Sequence, residues 1–515
     1  MKFSAQARKK IRRGAQKLLV LLTLIYRLLG ETFCAPVLVQ RVSRQPEAAA
    51  QSALTARQAR AYAEVLKMRA EAARALLQET PPNSAGTLLV QDCLSITELM
   101  VGQDASRYAA TVEAQNQRLE ALGKTREPGA LPQYARAEIQ LHQAAAQVAF
   151  GHEVQGAWNL RQAYQQMQAT VKRYPKYLPA RKTLGMMQFF IGSLPQGYRW
   201  FLKLLGLPGS ITSGLSNLRA AAHQPNDFQT EAQIILALIE ETYYKKPTEA
   251  LQLVVRLREQ QPDNLLFNYL LISLNKKQHR TDAALAAYRA HPTGVGYIPL
   301  PYLRHMAADL LLYQGQYAAS RRENELFLKE FRGAHYRKDA YFKLYLAAWL
   351  SNDGRAADQY RQQIDAGGRT IVEEDTYAQR FYDDQQPLNR QLTRARLQID
   401  GGYYREALAT LVNFRTTAAT SLRDQLEAPY RRARAWQGLG QLDSARLFFA
   451  RTIALAGTAP YYFAPQSALQ LGYLYQAEGQ NNTAKAYFQK ALSYPKHEYK
   501  NSTDTKAKLA LAELK

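Results

Sequence analysis

Few residues in this 515-residue sequence stand at spacings that could do chemistry. His152-Glu153 is followed by Val154, Gln155 and Gly156, so the second imidazole that a His-Glu-x-x-His zinc site needs one helical turn on is missing. No Gly-x-Ser-x-Gly elbow occurs. Gly206-Leu207-Pro208-Gly209 is not continued by Gly-Lys-Ser/Thr, so it does not read as a phosphate loop. The 8 histidines are scattered. Cys34 and Cys93 have a spacing that suits no metal site; one bridge in an oxidising compartment and two free thiols both fit. Glu373-Glu374-Asp375 and Asp383-Asp384 read as solvated carboxylates in an inserted loop. The expectation is a protein that is not an enzyme, with no catalytic residues, no cofactor and no metal.

Binding chemistry is better represented. The chain has 32 tyrosines and many arginines, the residue types that dominate binding hot spots. Arg396, Arg434, Tyr430 and Tyr473 suit a partner that presents carboxylates. With Tyr302, His305, Asp309 and Tyr341 they form the expected partner-binding set.

A repeat must position these residues. Turn positions recur at Lys245, His279, Gly315, Gly354, Gly402, Gly440 and Gly479. The first two intervals lie near the tetratricopeptide period of about 34 residues. The long interval from Gly354 to Gly402 places an insertion between Gly367-Gly368 and Gln386. Residues 465–498 carry Leu471-Gly472, Tyr475, Gly479, Ala484, Phe488, Ala491 and Pro495, and they resemble the tetratricopeptide consensus nearly position by position. Seven residues before each later turn stands a small residue: Ala308, Ala347, Ala395, Ala433 and Gly472. Alanine also recurs at 250, 284, 407, 445 and 484. Small residues let paired helices approach closely, while Phe449 and Phe488 fill the space to the next unit. A glycine at the turn reaches the left-handed conformation that ends a helix. The expected fold is therefore an all-α, tetratricopeptide-like solenoid of antiparallel helix pairs, with its groove lined by the first helix of each pair. Further helices are expected at 57–78, 85–101, 105–123, 131–150, 155–173 and 177–191.

The composition agrees. Apolar residues make up 47% of the chain, too many for a disordered protein. The formal charge is +24, but no dense basic run with interleaved aromatics follows residue 30, so a solvated arginine-rich surface is expected and nucleic acid is not. Residues 2–17 are strongly basic, and Leu18 to Tyr26 is almost continuously apolar. That is the layout of a secretory signal or an N-terminal anchor. The run is too short to span a bilayer by itself. An exported, periplasmic or envelope-associated protein is expected, the alternative being a cytoplasmic protein with a basic tail.

Residues 184–225 depart from the simple repeat. Leu194-Pro195, the apolar stretch Trp200 to Leu207, Gly209 and Gly214-Leu215-x-x-Leu218 occur in that order. In this the chain resembles the eukaryotic tetratricopeptide family that includes the yeast inclusion-body-clearance protein associated with mitochondrial outer membranes. The resemblance implies a helical scaffold with an inserted apolar helix near 195–210, and it carries no catalytic residues over. Tyr198, Arg199, Trp200, Phe201, Lys203, Leu204 and Leu205 would either pack across the array or lie at a membrane interface.

The expected organisation is a signal or anchor at 1–35, N-terminal repeats at 57–192, the inserted segment at 193–225, the repeat array at 226–498 and a C-terminal helix or tail at 499–515. The expected function is a repeat scaffold binding protein or peptide partners. The alternative is a membrane-surface adaptor working through the N-terminal segment and the inserted helix.

Overall fold

The computed structural model describes residues 53–514 except 195–201, 203–205, 245, 371 and 386. The signal or anchor segment, Cys34, Trp200 with most of its neighbours, and the turn position Lys245 lie outside the described residues.

Twenty-four helices follow one another among the described residues. The first seven are α1 (Ala56–Leu66), α2 (Ala70–Gln78), α3 (Ala85–Gly102), α4 (Ala105–Lys124), α5 (Leu131–Ala149), α6 (Glu153–Arg173) and α7 (Leu178–Gly192). Next come α8 (Ile211–His223), α9 (Gln229–Tyr244), α10 (Pro247–Gln260), α11 (Leu265–Lys277) and α12 (Thr281–Arg289). The next six are α13 (Tyr302–Tyr313), α14 (Tyr317–Glu330), α15 (Arg337–Leu350), α16 (Gly354–Ala366), α17 (Glu373–Asp384) and α18 (Arg390–Asp400). The last six are α19 (Tyr404–Leu411), α20 (Leu422–Gly438), α21 (Leu442–Ala456), α22 (Phe463–Ala477), α23 (Asn481–Ser493) and α24 (Lys500–Glu513). No strand occurs among the described residues; one isolated antiparallel bridge joins Arg69 to Tyr297. The chain is an all-helical, tetratricopeptide-like array.

The repeat positions explain the packing. Ala308, Ala347, Ala395 and Ala433 are fully buried, as are Ala284, Ala407, Ala445 and Ala484. A side-chain carbon on Gly472 would come within 2.4 Å of the Phe488 ring, so α22 and α23 touch because that position is empty. The turns at His279, Gly315, Gly402, Gly440 and Gly479 all have positive φ. Gly354 does not: Asn352 takes the left-handed conformation at φ 65°, Asp353 caps α16 and Gly354 opens it. Asparagine substitutes for glycine there because its short polar side chain tolerates that region.

Two further expectations change. Residues 57–78 are two helices rather than one, broken at Met68 with φ 61°. The acidic insertion is not a loop. Glu373, Glu374 and Asp375 form the first turn of α17, where negative charge is favoured by the exposed amide N–H groups. Val372, Ala378 and Phe381 bury its apolar side.

One apolar core runs from Leu54 to Leu311. It closes α1 against the middle of the chain: the Tyr62 hydroxyl donates to Glu231 at 2.7 Å, and the Ile298 amide donates to the Met68 carbonyl at 2.7 Å. The segment singled out for its resemblance has a packing role. A side-chain carbon on Gly214 would meet the Gly185 carbonyl at 2.7 Å, and one on Gly209 would meet the Gly192 nitrogen at 2.3 Å. These glycines let α7 and α8 run in close contact. Leu202, Leu207, Leu215 and Leu218 are buried.

Candidate functional site

The inner face of the C-terminal half holds a cleft of about 360 Å³. Its walls come from the first helices of successive pairs and from the insertion. α13 gives Tyr313; α15 gives Asp339, Phe342, Lys343 and Leu346. α17 gives Glu373, Glu374 and Tyr377, and α18 gives Arg396, Leu397 and Asp400. Arg431 of α20 completes it, with Tyr462 and Tyr499 at the residues preceding α22 and α24.

Local sequence aims these groups. Asn389 caps α18 through hydrogen bonds from the Gln391 and Leu392 amides. Leu392, Ala395 and Ile399 then turn into the core, which leaves Arg396 and Asp400, one turn apart, on the cleft side. The Arg396 Nη1 donates to the Tyr377 hydroxyl at 2.8 Å. No carboxylate of the described residues lies in ion-pair range of Arg396, whereas Arg431 is committed: its Nε and Nη2 donate to Glu427 at 2.9 and 2.7 Å, and Nη2 also donates to the Tyr462 hydroxyl at 2.9 Å.

Behind the cleft lies a buried charge network. Asp309 accepts from Lys276 and, at 2.9 Å, from Lys343. His305 sits 2.8 Å from the Asn324 side chain and 3.1 Å from Asp339. Burial alone would raise the Asp309 carboxyl, but the two ammonium groups outweigh it and hold it well below the ordinary carboxylate range. Burial also opposes charge on His305, yet the Asp339 hydrogen bond and nearby Asp309 raise it above its usual value. Asp375 accepts the Tyr336 and Asp339 amides at 2.6 and 3.0 Å, so α17 caps the start of α15. Burial pushes this carboxyl up to about 7.

His305, Asp309 and Asp339 could each offer a ligand atom within a 4.8 Å cluster. Their charge is already met by Lys276 and Lys343, so a cation would have to displace two ammonium groups. The arrangement is a structural salt-bridge network rather than a metal centre.

The expected site residues divide. Arg396 lines the cleft, and His305 and Asp309 lie beneath it, buried. Tyr302 packs against Tyr336, with ring centres 4.5 Å apart. Tyr341 does not face the groove: it turns to the end of α16, where its ring crowds Gly367. Tyr430 is 3% exposed, held among Phe449, Tyr462 and Phe463, and so has almost no surface to offer. Arg434 donates to the Tyr430 hydroxyl at 3.4 Å. Tyr473 packs edge-on against Phe488. The register of small residues identifies the first helix of each pair, but it does not say which way each neighbouring side chain turns. Tyr377, Glu373 and Glu374 were missed because the insertion reads as a loop; the acidic triplet before Tyr377 was the available helix-start signal.

No protein-family model matches the sequence, and no curated protein does. Among solved structures, the chain is similar to the human IFIT1 dimer with PPP-AAAA, at 15% identity over 92% of this chain and 94% of that one, with a TM-score of 0.35. It is also similar to the crystal structure of the P58(IPK) TPR domain, at 12% identity over 82% of this chain and 98% of that one, with a TM-score of 0.21. At these values the likeness carries no functional conclusion.

Proposed function

We propose that this chain is a non-enzymatic repeat scaffold that binds a protein or peptide partner in the cell envelope, and that the partner presents a carboxylate to Arg396. The observation that carries the reading is the Arg396 guanidinium: it borders the cleft with one neutral hydrogen-bond partner, and among the described residues no acid forms an ion pair with it. A carboxylate matches the planar donor fork of arginine in two parallel hydrogen bonds. Tyr313, Tyr377, Tyr462 and Tyr499 add aromatic surface, which suits a peptide. A polyphosphate or nucleic-acid ligand is disfavoured, because Asp339, Glu373, Glu374 and Asp400 also line the cleft. The resemblance to the inclusion-body-clearance family fits a scaffold role.

The test compares wild type with Arg396→Ala and Arg396→Lys in affinity capture from cell-envelope extracts. The captured partner is then titrated against each purified variant. Wild-type binding, strong loss in Arg396→Ala and incomplete rescue by Arg396→Lys are expected; equal affinities would remove Arg396 from recognition. The envelope location rests on the basic and apolar pattern of residues 2–26. A reporter fused after residue 45 should be active only on the exported side.

A second reading, a membrane-surface adaptor, is favoured by Val154 and Trp158, which stand one turn apart on α6 and are 51% and 52% exposed. Among the described residues no helix is long and apolar enough to cross a membrane, so contact through α6 would be peripheral. Flotation of the chain lacking residues 1–35 with anionic vesicles, lost in Trp158→Ser, would support this reading.

A further inference from the structure

Away from the cleft, positive charge gathers where α19 ends beside α20 and α21. No Asp or Glu occurs from Ala407 to Arg423 or from Ser444 to Ala477. The end of α19, the loop after it and most of α21 therefore carry cations alone. Two of these cations meet an α20 arginine's carbonyl partner or its field. The Phe414 carbonyl accepts from Arg432 Nη2 at 3.2 Å and from Arg415 Nη1 at 3.4 Å. Arg432 Nη2 also donates to the Leu411 carbonyl at 2.7 Å, and Arg415 Nη1 to the Val412 carbonyl at 2.5 Å. Both arginines thus cap the C-terminal end of α19, where carbonyls are open and positive charge is favoured. Capping uses one nitrogen of each guanidinium and leaves the others without a hydrogen bond among the described residues.

Capping does not account for Arg451, which makes no hydrogen bond or ion pair among the described residues. Burial, and after it the positive charges of Arg451 and Arg415, hold the Arg432 guanidinium below its usual value. No carboxylate offsets them. Glu427 is committed to Arg431, and Asp424 and Asp443 stand more than two helical turns before Arg432 and Arg451. Three guanidiniums gathered without an acid repel one another. Such a local conflict marks a place where a ligand supplies the missing charge.

The surroundings narrow the ligand. Leu447, Arg451 and Leu455 follow at one-turn intervals along α21, and the two leucines are 66% and 47% exposed. Val412, whose carbonyl Arg415 caps, is 58% exposed. A carboxylate would bring a single charge to three cations. A phosphate monoester brings nearly two charges and three acceptor oxygens, one for each guanidinium. We propose that Arg415, Arg432 and Arg451 form a binding site for a phosphate monoester, with the organic part of the ligand resting on Val412 and Leu447. The site is separate from the Arg396 cleft and stands independently of the carboxylate reading. A soluble phosphomonoester and the headgroup of phosphatidic acid offer the same chemistry, and the experiment separates them.

Phenyl phosphate and benzoate are titrated calorimetrically into the full chain at neutral pH and low salt. Phenyl phosphate should bind, and benzoate should bind about ten-fold more weakly or worse, a difference of about 1.4 kcal/mol. Affinity for phenyl phosphate should fall as pH drops below about 6, where the phosphate loses its second charge and the guanidiniums keep theirs. Arg451→Gln should weaken phenyl phosphate about ten-fold or more, Arg451→Lys should weaken it less, and Arg396→Ala should leave it unchanged. Because Arg451 has no partner to lose, Arg451→Gln should melt no lower than wild type. In parallel, each protein is sedimented with phosphatidylcholine vesicles with and without phosphatidic acid. Phenyl phosphate binding that depends on Arg451 assigns a soluble ligand. Sedimentation with phosphatidic acid that depends on Arg451, without binding of phenyl phosphate, assigns a lipid headgroup. Equal affinities for benzoate and phenyl phosphate, or no effect of Arg451→Gln in either assay, would overturn the proposal.

Discussion

Arg396 and Tyr377 are joined by a hydrogen bond of 2.8 Å, and that bond ties a repeat helix, α18, to the inserted helix, α17. The relationship gives Arg396 a structural share as well as a recognition role. Arg396 and Arg434, expected from the sequence to bind a partner, each donate to a tyrosine hydroxyl. Arg396→Ala with Arg434→Ala should therefore lose about 1–2 kcal/mol of stability, as expected for ordinary hydrogen bonds, in addition to losing partner affinity. Tyr377→Phe alone should lower stability by about 1 kcal/mol or less and leave the guanidinium in place. Urea unfolding of the three proteins separates these effects.

Lys182 is 1% exposed and sits between Glu138 at 3.2 Å and Glu231 at 2.8 Å. Burial opposes its charge, but the two carboxylates outweigh burial and raise its pKa. Lys182→Met strands two carboxylates in the core and should cost about 3–5 kcal/mol. Adding Glu138→Gln and Glu231→Gln should recover much of that loss, because the charges then disappear together. A triple variant no more stable than Lys182→Met would show that the lysine matters for packing rather than charge.

Asp375 gives a signed pH dependence. Its folded carboxyl is raised from 3.8 to about 7 by burial, so the folded state binds more protons than the unfolded state between those values. Its favourable contribution is therefore full below pH 3.8 and is lost as pH rises through about 7. His305, raised from 6.5, acts in the same direction above that value. Asp375→Asn removes the titration and keeps one acceptor oxygen for the two amides, which donate to different carboxylate oxygens; the bond it loses is a cost that does not vary with pH. The stability of this variant relative to wild type should climb from pH 4 to 7 and then level, by a few kcal/mol at most at about 1.4 kcal/mol per unit. A difference independent of pH would show that Asp375 does not titrate in this range.

Two glycines should fail for different reasons. Gly472→Ala places a methyl group 2.4 Å from the Phe488 ring and should cost about 1–3 kcal/mol through overpacking. Gly440→Ala meets nothing within 4 Å but holds φ at 74°, so it should cost about 1 kcal/mol in backbone strain. Trimming the ring in Gly472→Ala/Phe488→Leu should partly relieve the first variant, and no such partner should rescue the second. Thermal melts of the three variants test this.

The sequence by itself determined the repeat. Its turn glycines, its alanines at fixed offsets and the large residues that answer them are local or near-local constraints, because a helix pair closes within about forty residues. For the same reason the boundaries of α3 to α7 were legible from caps and periodicity. The tertiary structure decided where the groove is and what it holds. Tyr341 and Arg396 both lie on first helices of their pairs, yet one turns to α16 and the other to the cleft, a choice set by inter-repeat packing rather than by position in the repeat. The insertion is the clearest case. Glu373, Glu374 and Asp375 look like solvated loop residues in isolation. They form a helix because Val372, Ala378 and Phe381 find a surface to bury against and Asp375 finds the open amides of α15. That surface is built from residues distant in the sequence, and only the folded array supplies it.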